Sequence, residues 1–134
     1  MKGFVILASA LLLVGMSSCS KDYNPRPGNI PVTRTVQFEL YTNQDFSEDA
    51  HNITFNLHID DANKVIFDSA LATMKIQDIP DELHKIIIRK TVRPNDPSRL
   101  KVGFLYSIEN VGFSWYFEEF PSSDTFKVVR FDFR

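Results

Sequence analysis

Residues 34–134 predict an all-β chain folded as a single antiparallel two-sheet sandwich of roughly seven to eight strands. Three observations carry this expectation. Apolar residues recur with a period of two rather than a helical one. Turn-forming residues interrupt the alternating runs at short intervals. No segment shows a convincing helical period, and Asp81 to Lys85 offers one helical turn at most.

Taken in order, Val36, Phe38 and Leu40 alternate with Gln37 and Glu39, and Ile53, Phe55, Leu57 and Ile59 alternate with Thr54, Asn56 and His58. Shorter runs follow at Lys64–Phe67, Leu71–Ile76 and His84–Val92. Ile86-Ile87-Ile88 is apolar on both faces, which predicts a central strand. Leu100, Val102, Phe104, Tyr106 and Ile108 form the next apolar face, then Val111, Phe113, Trp115 and Phe117 another, and Val129, Phe131 and Phe133 close the chain. Between these runs lie Asn43-Gln44-Asp45, Asp60-Asp61-Ala62-Asn63, Pro94-Asn95-Asp96-Pro97, Asn110-Val111-Gly112 and Pro121-Ser122-Ser123-Asp124, all rich in turn formers.

The first 33 residues are of another kind. Lys2 gives a short positive segment, Phe4 to Val14 is apolar apart from Ser9, and Gly15-Met16-Ser17-Ser18 brings small residues up to Cys19. This is the anatomy of a secretory signal peptide over residues 1–18. The apolar run is shorter than the ~20 residues a spanning helix needs. Cys19 is the single cysteine, so no internal disulfide can form. Residues 19–33 read as a flexible tether, because Pro25, Pro27, Gly28 and Pro31 favour extended, solvated backbone. Stretched from Ser20 to Thr33, it reaches about 45 Å at most.

Removing residues 1–18 costs the 15 bases only Lys2 and leaves all 17 acids, which takes the formal charge from −2 to −3. A weakly acidic chain without a basic cluster excludes nucleic acid as the expected partner, since phosphate binding needs concentrated Lys and Arg. Twelve Phe suffice for one core, and the length suits one domain.

Two resemblances add to this. Met16-Ser17-Ser18-Cys19 resembles the lipobox of bacterial lipoproteins, with Met16 in place of the usual Leu, and Cys19 to Asp22 is similar to the mature start of Bacteroidota lipoproteins. The resemblance implies acylation of Cys19 and a lipid-anchored protein of the cell outer membrane, facing the periplasm or the surface; two or more acyl chains give stable anchoring. Met74-Lys75-Ile76-Gln77-Asp78-Ile79-Pro80, followed by Ile86 to Lys90, resembles a strand–Asp-Ile-Pro–strand unit of prealbumin-like sandwiches, the transthyretin-related and collagen-adhesin B-type domains. It implies an Ig-like or prealbumin-like arrangement. Those families usually place Gly and an aromatic after the proline, where this chain has Asp81-Glu82-Leu83-His84. The Lys–Asn isopeptide bond of some adhesin repeats is not implied, for want of a Lys in the first strand and an Asn in the last.

Candidate chemistry is sparse. His51, His58 and His84 have no metal-ligand spacing, and His58 shares the polar face of its strand with Thr54 and Asn56. Asp60-Asp61, Asp81-Glu82 and Glu118-Glu119 fit turns and strand ends better than a carboxylate pair held across a cleft or a calcium loop. Gly112-Phe113-Ser114 lacks the second glycine of a nucleophile elbow, and no phosphate-cradling glycine loop occurs. Asp68-Ser69-Ala70 resembles the three-residue O-glycosylation signal of Bacteroidota envelope proteins, which makes Ser69 a candidate site. If alternation holds, Trp115 and Phe117 point into the core, and Tyr116 points out beside Ser114 and Glu118 as the candidate binding-surface residue. The expectation is a non-catalytic, membrane-anchored module that uses no cofactor and no metal and contacts an envelope protein or glycan. Its alternative is a structural or accessory subunit of an envelope assembly, such as a fimbrial or import/export complex, whose terminal strand Phe126–Arg134 could either complete its own sheet or lend an edge to a neighbour.

Overall fold

The computed structural model describes residues 32–61, 64–94 and 99–134, so Cys19, the signal segment and all but the last two residues of the tether lie outside the described residues. The described residues form eight strands: β1 (Arg34–Tyr41), β2 (Asn52–Asp60), β3 (Val65–Ala70), β4 (Met74–Lys75), β5 (Ile86–Val92), β6 (Leu100–Ile108), β7 (Gly112–Phe120) and β8 (Phe126–Asp132). Two short 3-10 turns, Ile76–Asp78 and Glu82–His84, sit between β4 and β5. Asp81 caps the second through its carboxylate, which accepts from the His84 backbone N–H at 3.0 Å.

The strands form two sheets, one of three in the order β5-β1-β8 and one of five in the order β3-β2-β6-β7 with β4 paired to β2. Period-two alternation is the cause. Val36, Phe38 and Leu40 of the smaller sheet face Ile53, Phe55, Leu57, Ile59, Leu100, Val102 and Phe104 of the larger, and all of these are buried. Phe rings lock the layers together: Phe38 meets Phe104 edge-on at 5.5 Å, and Phe55 meets Phe133 edge-on at 6.0 Å. Each fully buried ring contributes about 1.5–3 kcal/mol. The whole core lies between Val36 and Phe133.

Four features differ from the sequence-based expectation. The sandwich is not wholly antiparallel, because β8 runs parallel to β1, from Thr35 opposite Phe126 to Tyr41 opposite Asp132. Parallel neighbours require a long connection, and the intervening strands supply it. The triple-Ile strand β5 is an edge rather than a centre; Ile86 and Ile88 turn inward while Ile87 is 51% exposed. Leu71–Ile76 yields only the two-residue β4 before the chain tightens into a 3-10 turn.

The fourth difference concerns β7. Its inward residues are Ser114, Tyr116, Glu118 and Phe120, and its outward ones are Phe113, Trp115, Phe117 and Glu119, the reverse of the expected phase. The β6–β7 turn decides this. Three residues, Glu109 to Val111, close the hairpin with Asn110 at φ 62° and Gly112 at φ 141°, so Ile108 pairs with Gly112. Leu100, Val102 and Phe104 are 0–1% exposed and fix the inner face of β6, which forces Phe120, Glu118 and Tyr116 opposite them onto that face.

Candidate functional site

The outer face of the five-stranded sheet is built in rows by the register of β2, β6 and β7. Thr54, Ser107 and Phe113 form one row, Asn56, Leu105 and Trp115 the next, and His58, Gly103 and Phe117 the third. Phe113 and Trp115 are 62% and 63% exposed, with ring centroids 6.3 Å apart, and Val111 at the turn is exposed too. Burying such side chains is worth about 1.5–3 kcal/mol each, and folding forgoes that gain here. An exposed aromatic strip on an edge strand marks a contact surface more than scattered surface apolars do.

Beside the aromatic strip lies a polar shelf. The His58 ring is nearly enclosed: Nε2 lies 3.1 Å from an Asp60 oxygen and Nδ1 lies 3.3 Å from an Asp68 oxygen. Asn56 donates to the other Asp68 oxygen at 3.1 Å. Phe117 covers the imidazole at 5.5 Å between centroids. Gly103 permits this contact across β6, because a Cβ there would run into the Tyr116 carbonyl oxygen and approach the Phe117 Cα to 2.9 Å. The shelf is therefore held rigid by its own hydrogen bonds, and the aromatic edges stand free next to it.

Tyr116, the residue expected to face outward, is half-buried. Its ring stacks on Phe131 at 4.9 Å and 12°, and its hydroxyl donates to Glu118 at 2.9 Å. Burial first, then the Glu118 carboxylate, pushes the phenol above its ordinary value. Trp115 stands in its place on the surface. Ser69 is exposed on the edge strand β3, while Asp68 beside it is engaged by His58 and Asn56.

Two other surfaces carry clustered charge. An open cleft of 680 Å³ at the end of the sandwich remote from Arg34 is lined by Asp45, Glu48, Asp49, His51 and Glu109 among others. Most of its acids are already used locally: Asp45 accepts from the Ser47 N–H, Asp49 from the His51 backbone and ring, and Glu109 from Asn52. These hydrogen bonds, the largest influence, hold the Asp45 and Asp49 carboxyls below their usual values. Among the described residues, no three His, Cys, Asp or Glu side chains converge as metal ligands.

The second surface is the outer face of the three-stranded sheet, where Glu39 on the central strand is only 3% exposed. Its carboxylate accepts from Gln37 at 2.7 Å, meets Lys85 at 2.9 Å and accepts from Arg130 at 3.2 Å, while Arg89 donates to Gln37 at 2.6 Å. Burial pushes Glu39 upward, but the Lys85 and Gln37 hydrogen bonds and the Lys85 and Arg130 charges outweigh it and leave the group below its ordinary value. Neither the burial of Glu39 nor the exposure of Trp115 has a mark in the local sequence. The turn-defined register was the only usable signal for the latter.

No known protein family, no curated protein and no solved structure matches the chain. Among the described residues, no helix is long and apolar enough to cross a membrane.

Proposed function

We propose that this protein is a non-catalytic interaction module, anchored by lipid on Cys19 at the cell outer membrane, that contacts an envelope protein or glycan. The contact surface is the outer face of β6 and β7. One observation carries the reading: Phe113 and Trp115 stand exposed on an open edge strand, flanked by a polar shelf that is already internally bonded. Flat aromatic groups offer stacking area at low entropic cost, and the fixed amide and carboxylate groups supply direction. Signal peptide and lipobox support the address. The order β3-β2-β6-β7 over β5-β1-β8, with first and last strands parallel, supports the prealbumin-like reading.

The accessory-subunit alternative draws less support. A strand that is to be lent should be loosely held, yet β8 is paired to β1 along seven residues. The test is a binding screen of residues 20–134 against glycan arrays and purified envelope proteins, repeated with the Phe113→Ala, Trp115→Ala double variant. The double variant should lose at least tenfold in affinity at an unchanged melting temperature. Ligand binding indifferent to both substitutions would remove the assigned surface.

A further inference from the structure

We infer that the outer face of the three-stranded sheet is a membrane-docking face for anionic phospholipid headgroups, so that the aromatic face on the opposite side of the sandwich points away from the bilayer. In a chain of net charge −2, this face holds an excess of cations. Arg89 of β5, Arg130 of β8 and Lys85 just before β5 surround the Glu39 carboxylate of β1 or its Gln37 neighbour. The other acid, Asp132 at the rim, is bonded by Arg134 at 3.0 Å.

The guanidinium groups of Arg89 and Arg130 each turn the Nε edge inward, onto Gln37 and Glu39 respectively. This fixes the groups in place while the Arg130 side chain stays 61% exposed and Arg89 stays exposed, an arrangement suited to phosphate oxygens. Ile87 and Phe126, 51% and 50% exposed, stand on the same face and can enter the headgroup layer. Finally, the chain that carries Cys19 enters the fold through β1 of this same sheet, with Thr35 directly beside Phe126. Charge complementarity and the point of entry of the tether therefore name the same occupant, the membrane surface. The inference rests on the Cys19 anchor proposed above, but not on the ligand of the aromatic face.

The test uses residues 20–134, which include the whole core and carry no acyl group, sedimented with vesicles of phosphatidylcholine alone or enriched in phosphatidylglycerol. Binding is expected only to the anionic vesicles and should fall steeply with added salt. Arg89→Gln with Arg130→Gln, which leaves Lys85 to hold Glu39, should weaken it roughly 30-fold, the factor two surface charges carry on an anionic leaflet. Lys75→Gln with Lys101→Gln removes the same net charge from the other sheet and should leave binding unchanged. Trp115, the single tryptophan, should keep its emission and its acrylamide quenching on the vesicles. Equal binding to neutral vesicles, insensitivity to salt, or equal losses from the two double variants would overturn the inference. So would a blue-shifted, protected Trp115, which would make the aromatic face the membrane face. Retention on an acidic polysaccharide such as alginate without vesicle binding would overturn it in favour of a soluble polyanion.

Discussion

Arg34 closes the end of the sandwich where the chain enters. Its side chain is fully buried, lies 3.9 Å over the Phe120 ring, and donates to the carbonyl oxygens of Phe120 at 2.7 Å, of Asp124 at 3.1 Å and of Pro121. The β7–β8 turn thus hands its carbonyls to one planar fork, and a lone ammonium has no matching geometry. Arg34→Ala should cost about 3 kcal/mol and Arg34→Lys should recover less than half of that, read from urea unfolding midpoints. Gly103→Ala should cost about 2–4 kcal/mol in the same assay, because backbone atoms of β7 occupy the space of the new methyl. Residues of this type were the least legible. In the sequence Arg34 marks only where the globular part begins, and Glu39 reads as the polar half of an alternating strand. Their burial follows from partners more than 40 residues away, Lys85 for Glu39 and Phe120 for Arg34.

At the scale of elements, strands and turns were legible almost throughout, because alternation and turn chemistry are local. The inward faces of β1, β2, β6 and β8 follow directly from Val36, Ile53, Leu100 and Val129 and their period-two partners. β5 and β7 were misplaced for the same physical reason: both carry apolar residues on two faces, and the neighbouring strand decides which face is covered. Among the described strands β5 has β1 as its one neighbour, and Ile87 is left exposed. For β7 the three-residue turn sets the phase against the stronger apolar set. The prediction that separates the two phases is a pair of alanine variants. Tyr116→Ala should lose about 3 kcal/mol by leaving a cavity against Phe131. Trp115→Ala should change stability by less than about 0.5 kcal/mol. The reverse order in thermal or urea melts would restore the phase that alternation alone suggests.

On the scale of the whole molecule, acid should loosen the sandwich from the smaller sheet. Glu39 and Asp132 both sit below their ordinary values of 4.5 and 3.8 in the fold. Burial, the largest single influence on Asp132, raises it, but hydrogen bonds from Asn43 and Arg134 together with the Arg134 charge outweigh it and leave the group lowered. A group depressed in the fold contributes stability that is complete above its unfolded value and disappears as pH falls through the folded one. Unfolding midpoints should therefore be level at neutral pH, begin to fall below about pH 4.5 and keep falling as pH passes through the depressed folded values of both groups. Glu39→Gln should flatten that acid limb, since the amide keeps the shape and carries no titrating charge.

The sandwich also has two unlike sides. One sheet carries cations fixed over a buried carboxylate, and the other carries exposed aromatic rings beside a bonded polar shelf. The second is the proposed working surface. Its most direct test is a photo-crosslinking amino acid placed at position 113 in the native cell, with one at position 91 on the opposite sheet as control. Position 113 should give a discrete adduct with an envelope component on irradiation, and position 91 should not. Adducts at 91 with none at 113 would contradict the assignment of the aromatic face.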